Sequence, residues 1–97
     1  YRTIVENLSQ QNPNVLLCTV YEGNLMGDPY YSNVAFASKA MVSMLNDIIF
    51  TTGATFNVDV LELRNIFTSP EDYANPIEPS HLGGKKLSQQ ILKWVNN

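Results

Sequence analysis

The residues best suited to chemistry lie together near the end of the chain, in DYANPIEPSHLGGKKL, Asp72 to Leu87. Asp72, Glu78 and His81 sit there in a proline-containing loop, just before a helical periodicity begins. Histidine is the side chain best matched to proton transfer near neutrality, and a nearby carboxylate can orient it. Glu78 is the competing proton acceptor, although an unperturbed glutamate, with a pKa of about 4.3, takes a proton poorly at neutral pH. The chemistry in view is proton transfer, and Glu78 and His81 are its two candidate bases.

The elements that must position this loop follow from hydrophobic spacing. In YRTIVENLSQQ, Ile4, Val5 and Leu8 share one helical face, and Asn12-Pro13-Asn14 stops the helix. Val15 to Tyr21, VLLCTVY, is almost continuously apolar and reads as a strand covered on both faces, with Cys18 as a small buried side chain. Glu22 to Tyr31 carries Gly23, Gly27 and Pro29 and reads as a long loop. From Ser32, an expected N-cap, Val34, Ala37, Met41, Met44 or Leu45 and Ile48 recur at helical spacing, and Gly53 is placed to end that helix. Phe56 to Leu63 alternates as a strand, Arg64 to Pro79 is loop, and a last helix beginning near Ser80 carries Leu87, Ile91, Trp94 and Val95 as its buried stripe.

The order helix, strand, helix, strand, helix implies an α/β fold with a parallel sheet and crossover helices. Two strands are too few for the apolar surface that three amphipathic helices bring. The chain therefore reads as part of a doubly wound parallel sheet, its remaining strands supplied by another segment or another protein chain.

These residues resemble the C-terminal half of the SGNH hydrolases, the GDSL esterase and lipase superfamily, over nearly all of residues 1–97. YRTIVENLSQQNPNVLLCTVY looks like the helix and fourth strand after that family's Asn-bearing block. SMLNDIIFTTGATFNVDVLELRNIF looks like its next helix and fifth strand, and DYANPIEPSHLGGKKLSQQI falls where the family carries its Asp-x-x-His block. The resemblance implies a flavodoxin-like SGNH fold and ester hydrolysis, in which a Ser attacks, a His takes its proton, an Asp orients the His, and a Gly and an Asn help form the oxyanion hole.

The Ser, Gly and Asn blocks do not occur in this sequence, and none of its seven serines has a Gly-Asp-Ser context. The last block fits in two registers. In one, Glu78-Pro79-Ser80-His81 is the acid-x-x-His pair, with His81 as base. In the other, Pro79, Gly83, Leu87 and Ser88 match the family's spacing, which puts Glu78 at the catalytic His position and Asn75 at the Asp position. The second matches more positions. It displaces His81 to a solvent-facing place on the first turn of the last helix and weakens the case for ordinary catalysis. The two functions that follow are an ester hydrolase whose Ser comes from a missing N-terminal segment, and a non-catalytic SGNH-like subunit that docks a partner chain.

Other classes have little support. With six basic residues against nine acidic and a net charge of -3, no basic face for nucleic acid is expected. No apolar run approaches the length of a bilayer span. One Cys and one His, far apart, argue against a metal site, and no cofactor motif is present; Gly83-Gly84 reads as close helix packing and not as a phosphate loop. The chain starts at Tyr1, as a processed or partial product would, and shows no signal-peptide pattern, so no compartment is assigned.

Overall fold

The computed structural model describes all 97 residues. It is mixed α/β, with three helices and a two-stranded parallel sheet: α1 (Arg2–Gln11), β1 (Leu16–Cys18), α2 (Ala35–Phe56), β2 (Asp59–Leu61) and α3 (His81–Val95). Leu16 pairs with Asp59, Leu17 with Val60 and Cys18 with Leu61. Both strands are shorter than their apolar runs, and Phe56 belongs to α2.

The core forms on one face of the sheet. Val5 of α1, Leu17 of β1 and Ile49 of α2 are buried together, with Val15, Phe56, Val58 and Val60 packed around them. α3 lies elsewhere. Its start packs on the 3-10 turn Pro70–Asp72, and near its end the Trp94 indole N–H donates to Asp59 Oδ2 at 2.7 Å. Asp59 alternates with Val60 and so points away from the α1–α2 core.

Several sequence expectations change here for physical reasons. Cys18 is exposed, because it alternates with Leu17 and the second face of β1 is uncovered. Ser32 opens a 3-10 turn and caps nothing; α2 starts after Val34 with no side-chain cap. Gly53 does not end α2. The helix continues to Phe56 and closes on Asn57, which takes the left-handed conformation at φ 55°, ψ 47° that Asn tolerates better than most residues. Gly53 instead lets α2 approach β2, since a Cβ there would come within 2.6 Å of Val60 Cγ2. In α3, Leu87 and Trp94 are half-buried while Ile91 and Val95 are exposed.

The apolar run in α2 is also longer than the sequence reading allowed. Ser32–Phe56 is long and apolar enough, by length and composition alone, to cross a bilayer. Its Ala35, Asn46, Ile49, Thr52 and Gly53 are buried within the fold. The other side of the helix is open, with Phe36 87% and Met44 70% exposed.

The accessible surface is 6704 Å² and the radius of gyration 14.8 Å. A closed domain of this mass and length would have about 5,600 Å² and about 12.5 Å. The excess surface agrees with a sheet covered on one face only.

Candidate functional site

Three loops meet beyond the carboxyl ends of the two strands, the end at which open α/β sheets bind ligands. The first follows β1 and contains Tyr21, Glu22, Gly23 and Asn24. The second follows β2 and runs through Leu63–Asn65 to Phe67, Thr68 and Ser69. The third, Tyr73 to Ser80, leads into α3.

The second loop is built on a polar node. Thr19, buried just past β1, donates its hydroxyl to Glu62 Oε1 at 2.7 Å and accepts from the Leu63 N–H at 2.8 Å. Glu62 Oε1 also accepts from the Arg64 backbone N–H and from Nε, both at 2.9 Å, and Oε2 accepts from Arg64 Nη2 at 2.6 Å. This forked contact fixes the guanidinium plane. The Arg64 side-chain bonds, with smaller help from Thr19, hold the Glu62 carboxyl at a pKa of about 2, against a desolvation that pushes it up.

Asp72 is the second anchor and is fully buried. Its Oδ2 accepts from the backbone N–H groups of Thr68 and Ser69 at 3.0 Å each. Lys86 Nζ lies 2.7 Å from Oδ1, within ion-pair range though off the hydrogen-bond direction. The ammonium and the two N–H donors keep the carboxyl below its ordinary range despite burial. Gly83 permits this arrangement, because a Cβ there would run into the Asp72 carbonyl oxygen and the Phe67 ring. Gly84, by contrast, faces open space, so the close-packing expectation holds for one glycine of the pair.

The third loop is pinned onto the first. The Gly23 N–H donates to the Tyr73 hydroxyl at 3.2 Å, and the Asn24 N–H donates to the Pro76 carbonyl at 2.9 Å. Gly23 has φ +81°, and a Cβ there would come within 2.7 Å of that same carbonyl. Tyr21, Phe67 and Tyr73 stack edge-on and tilted between the loops, with ring centroids 5.2 to 5.9 Å apart. Burial pushes the Tyr73 phenol above its usual range.

The two candidate bases both belong to this end of the molecule, and both are exposed. Asn75 Oδ1 accepts from the Ile77 and Glu78 N–H groups at 2.9 and 2.8 Å, the local turn expected of an Asn before Pro. That bond uses the Glu78 backbone and leaves its carboxylate free. His81 is the first residue of α3, where Ser80 is the N-cap and accepts from the Gly83 N–H at 3.1 Å. No hydrogen bond or ion pair joins the Glu78 carboxylate to the His81 imidazole. The chain thus brings both to one loop without making them a working acid–base pair.

A cleft of about 260 Å³ lies between the first two loops, lined by Glu22, Asn24, Arg64, Phe67, Ser69 and Tyr73 among others. Beyond the Glu22–Gly23 segment is a more apolar groove of about 460 Å³, with Val20, Leu25, Tyr31, Val34, Val42 and Ile77 in its walls. Neither Glu78 nor His81 lines either one. The sequence reading missed Glu22, Arg64 and Tyr73. Their signal was positional, since Glu22 and Arg64 each stand just past the end of a parallel strand.

No group of three or more His, Cys, Asp and Glu side chains is arranged to hold a metal ion. Compared with family models, curated proteins and solved structures, the chain finds no match in any of the three.

Proposed function

We propose that the chain is the C-terminal half of a doubly wound, flavodoxin-like SGNH domain and works as part of an ester hydrolase, its Ser nucleophile supplied by another segment or chain. The observation that carries this reading is the pinning of the Tyr73–Ser80 loop onto the loop after β1. It holds the Glu78 and His81 segment at the carboxyl end of the sheet, where an incoming Ser would need its base. His81, solvent-facing and free of protein partners, is open to such a hydroxyl. The groove beside Val20 and Ile77 suits an apolar acyl or leaving group. The exposed second face of β1 and the surplus surface support docking of further strands.

A second reading keeps the fold and drops the catalysis: a binding subunit on the same scaffold. It is favoured by the absence of any acid hydrogen-bonded to His81, and by a Glu78 carboxylate that neither bonds to the protein nor lines either cleft. Co-expression with an N-terminal SGNH half carrying Gly-Asp-Ser, followed by hydrolysis of p-nitrophenyl acetate, separates the two. Catalysis lost in His81→Ala and kept in Glu78→Gln supports His81 as base, and the converse supports Glu78. A stable, folded complex with no esterase activity supports the binding subunit.

A further inference from the structure

We propose that the cleft between the loops after β1 and β2 binds a small zwitterion of the α-amino-acid type, its carboxylate on Arg64 and its ammonium on Glu22. The claim concerns binding and does not rest on the hydrolase reading, since neither Glu78 nor His81 lines the cleft.

Arg64 is prepared for an anionic group. Its guanidinium has five N–H donors, and only Nε and Nη2 are engaged, both by Glu62. Glu62 is itself held by Thr19 and by the Arg64 backbone N–H. The fork is therefore fixed before any ligand arrives, with Nη1 unpaired on a residue that lines the cleft. A carboxylate can take that edge by charge-assisted hydrogen bonds without reordering the side chain.

Glu22 is the complementary feature. It is half-buried and has neither a hydrogen-bond partner nor an ion pair, yet its charge acts on Arg64. The two groups lie farther apart than an ion pair allows and face one cleft, so a molecule carrying both charges can bridge them. The cleft walls add the Phe67 ring, and the Tyr73 hydroxyl accepts from Gly23 while its own proton stays free to donate. At about 260 Å³ the space is smaller than the about 300–1,000 Å³ of drug-sized pockets, and suits one small metabolite.

The pairing of each unpartnered group chooses among ligands. Glu22, Glu62 and Arg64 together leave one uncompensated negative charge. A simple anion would meet Arg64 but face that surplus. A simple cation would satisfy Glu22 but leave the free Arg64 N–H groups without an acceptor from the ligand. A zwitterion leaves the net charge unchanged and gives both the Glu22 carboxylate and the free Arg64 N–H groups a partner.

The test is titration of the isotopically labelled protein, followed by amide NMR, with L-alanine, sodium acetate, methylammonium chloride and glucose as separate probes. The expected result is saturable binding of L-alanine with shifts centred on Gly23, Asn24, Arg64 and Thr68, and at least tenfold weaker binding of the other three. Glu22→Gln, which breaks no protein contact, and Arg64→Lys, which keeps charge but not the fork, should each weaken L-alanine at least tenfold while the remaining spectrum is retained. His81→Ala should leave the affinity unchanged. The proposal is overturned if L-alanine fails to bind, if acetate, methylammonium or glucose binds as tightly, or if Glu22→Gln binds like the parent.

Discussion

Asn46 holds both backbone polar groups of Val20. Its Oδ1 accepts from the Val20 N–H at 2.7 Å, and its Nδ2 donates to the Val20 carbonyl at 2.9 Å, with the Asn46 residue 0% exposed. The side-chain amide of a helix residue thus stands where a neighbouring strand's peptide group would, just past β1. It fixes the point at which the chain leaves the sheet toward Glu22. Asn46→Leu removes both bonds and strands two backbone groups against an apolar side chain. The expected loss is about 2–4 kcal/mol, read by urea unfolding. A loss under about 0.5 kcal/mol would mean that the clasp is incidental.

Glu62 makes stability depend on acid. Its folded pKa of about 2 lies below the ordinary value of 4.5, so its contribution is complete above about pH 4.5 and is lost as pH falls toward 2. Asp72 shifts in the same direction, so the parent protein alone cannot isolate the effect. The difference between parent and Glu62→Gln can. Between pH 6 and pH 2.5 the gap in their urea midpoints should narrow; a constant gap would show that Glu62 does not titrate with folding.

The two adjacent glycines of α3 should respond oppositely to alanine. Gly83→Ala drives a methyl into the Asp72 carbonyl and the Phe67 ring, an overpacking expected to cost about 2 kcal/mol or more. Gly84→Ala meets nothing within 4 Å and gains helix propensity of up to about 1 kcal/mol. Thermal melts of the pair give the sign of each directly.

Glu78→Gln and His81→Ala should each change stability by less than about 0.5 kcal/mol, because both side chains are exposed and bond to no protein group. Any larger effect on the esterase activity proposed for a completed domain would then belong to chemistry and not to folding. A large loss of stability in either variant would show contacts that the loop geometry lacks.

Cys18 should react with a thiol reagent without denaturant, since it is exposed on the uncovered face of β1. Partial desolvation raises its pKa, so the rate at neutral pH should be low and should climb into the alkaline range. Protection of Cys18 on adding an N-terminal half would locate the docking face. Unchanged reactivity in a stable complex would direct attention to another surface.

Element type was readable from the residues because the helical stripes of α1 and α2 and the apolar run at Val15–Tyr21 are strong local signals. The start of the last helix near Ser80 follows from the same local signals, and the parallel pairing follows from the order of the elements. What failed depended on which faces are covered. Cys18, the α2 stripe of Val34, Ala37, Met41, Met44, Leu45 and Ile48, and the outer part of the α3 stripe look like core by composition but are exposed, because burial is a property of neighbours and these faces have few. Gly53 looked like a helix stop because glycine often is one; its use here, allowing Val60 to approach, is a long-range requirement. The Arg64–Glu62–Thr19 node was hidden for the same reason, since it joins residues from both strand ends and only the β1–β2 register brings them together.

That register carries a kinetic consequence. Leu16 pairs with Asp59, and every ladder bond joins segments separated by the whole of α2 and the loop before it. The chain must close a long loop before the sheet returns any energy, and the entropy of closing it falls if α2 forms first and spans part of the gap. The rate of sheet formation should therefore follow the helicity of α2. Helix-weakening changes on its exposed side, such as Ala40→Gly, should slow folding, although the altered side chain lies outside the core.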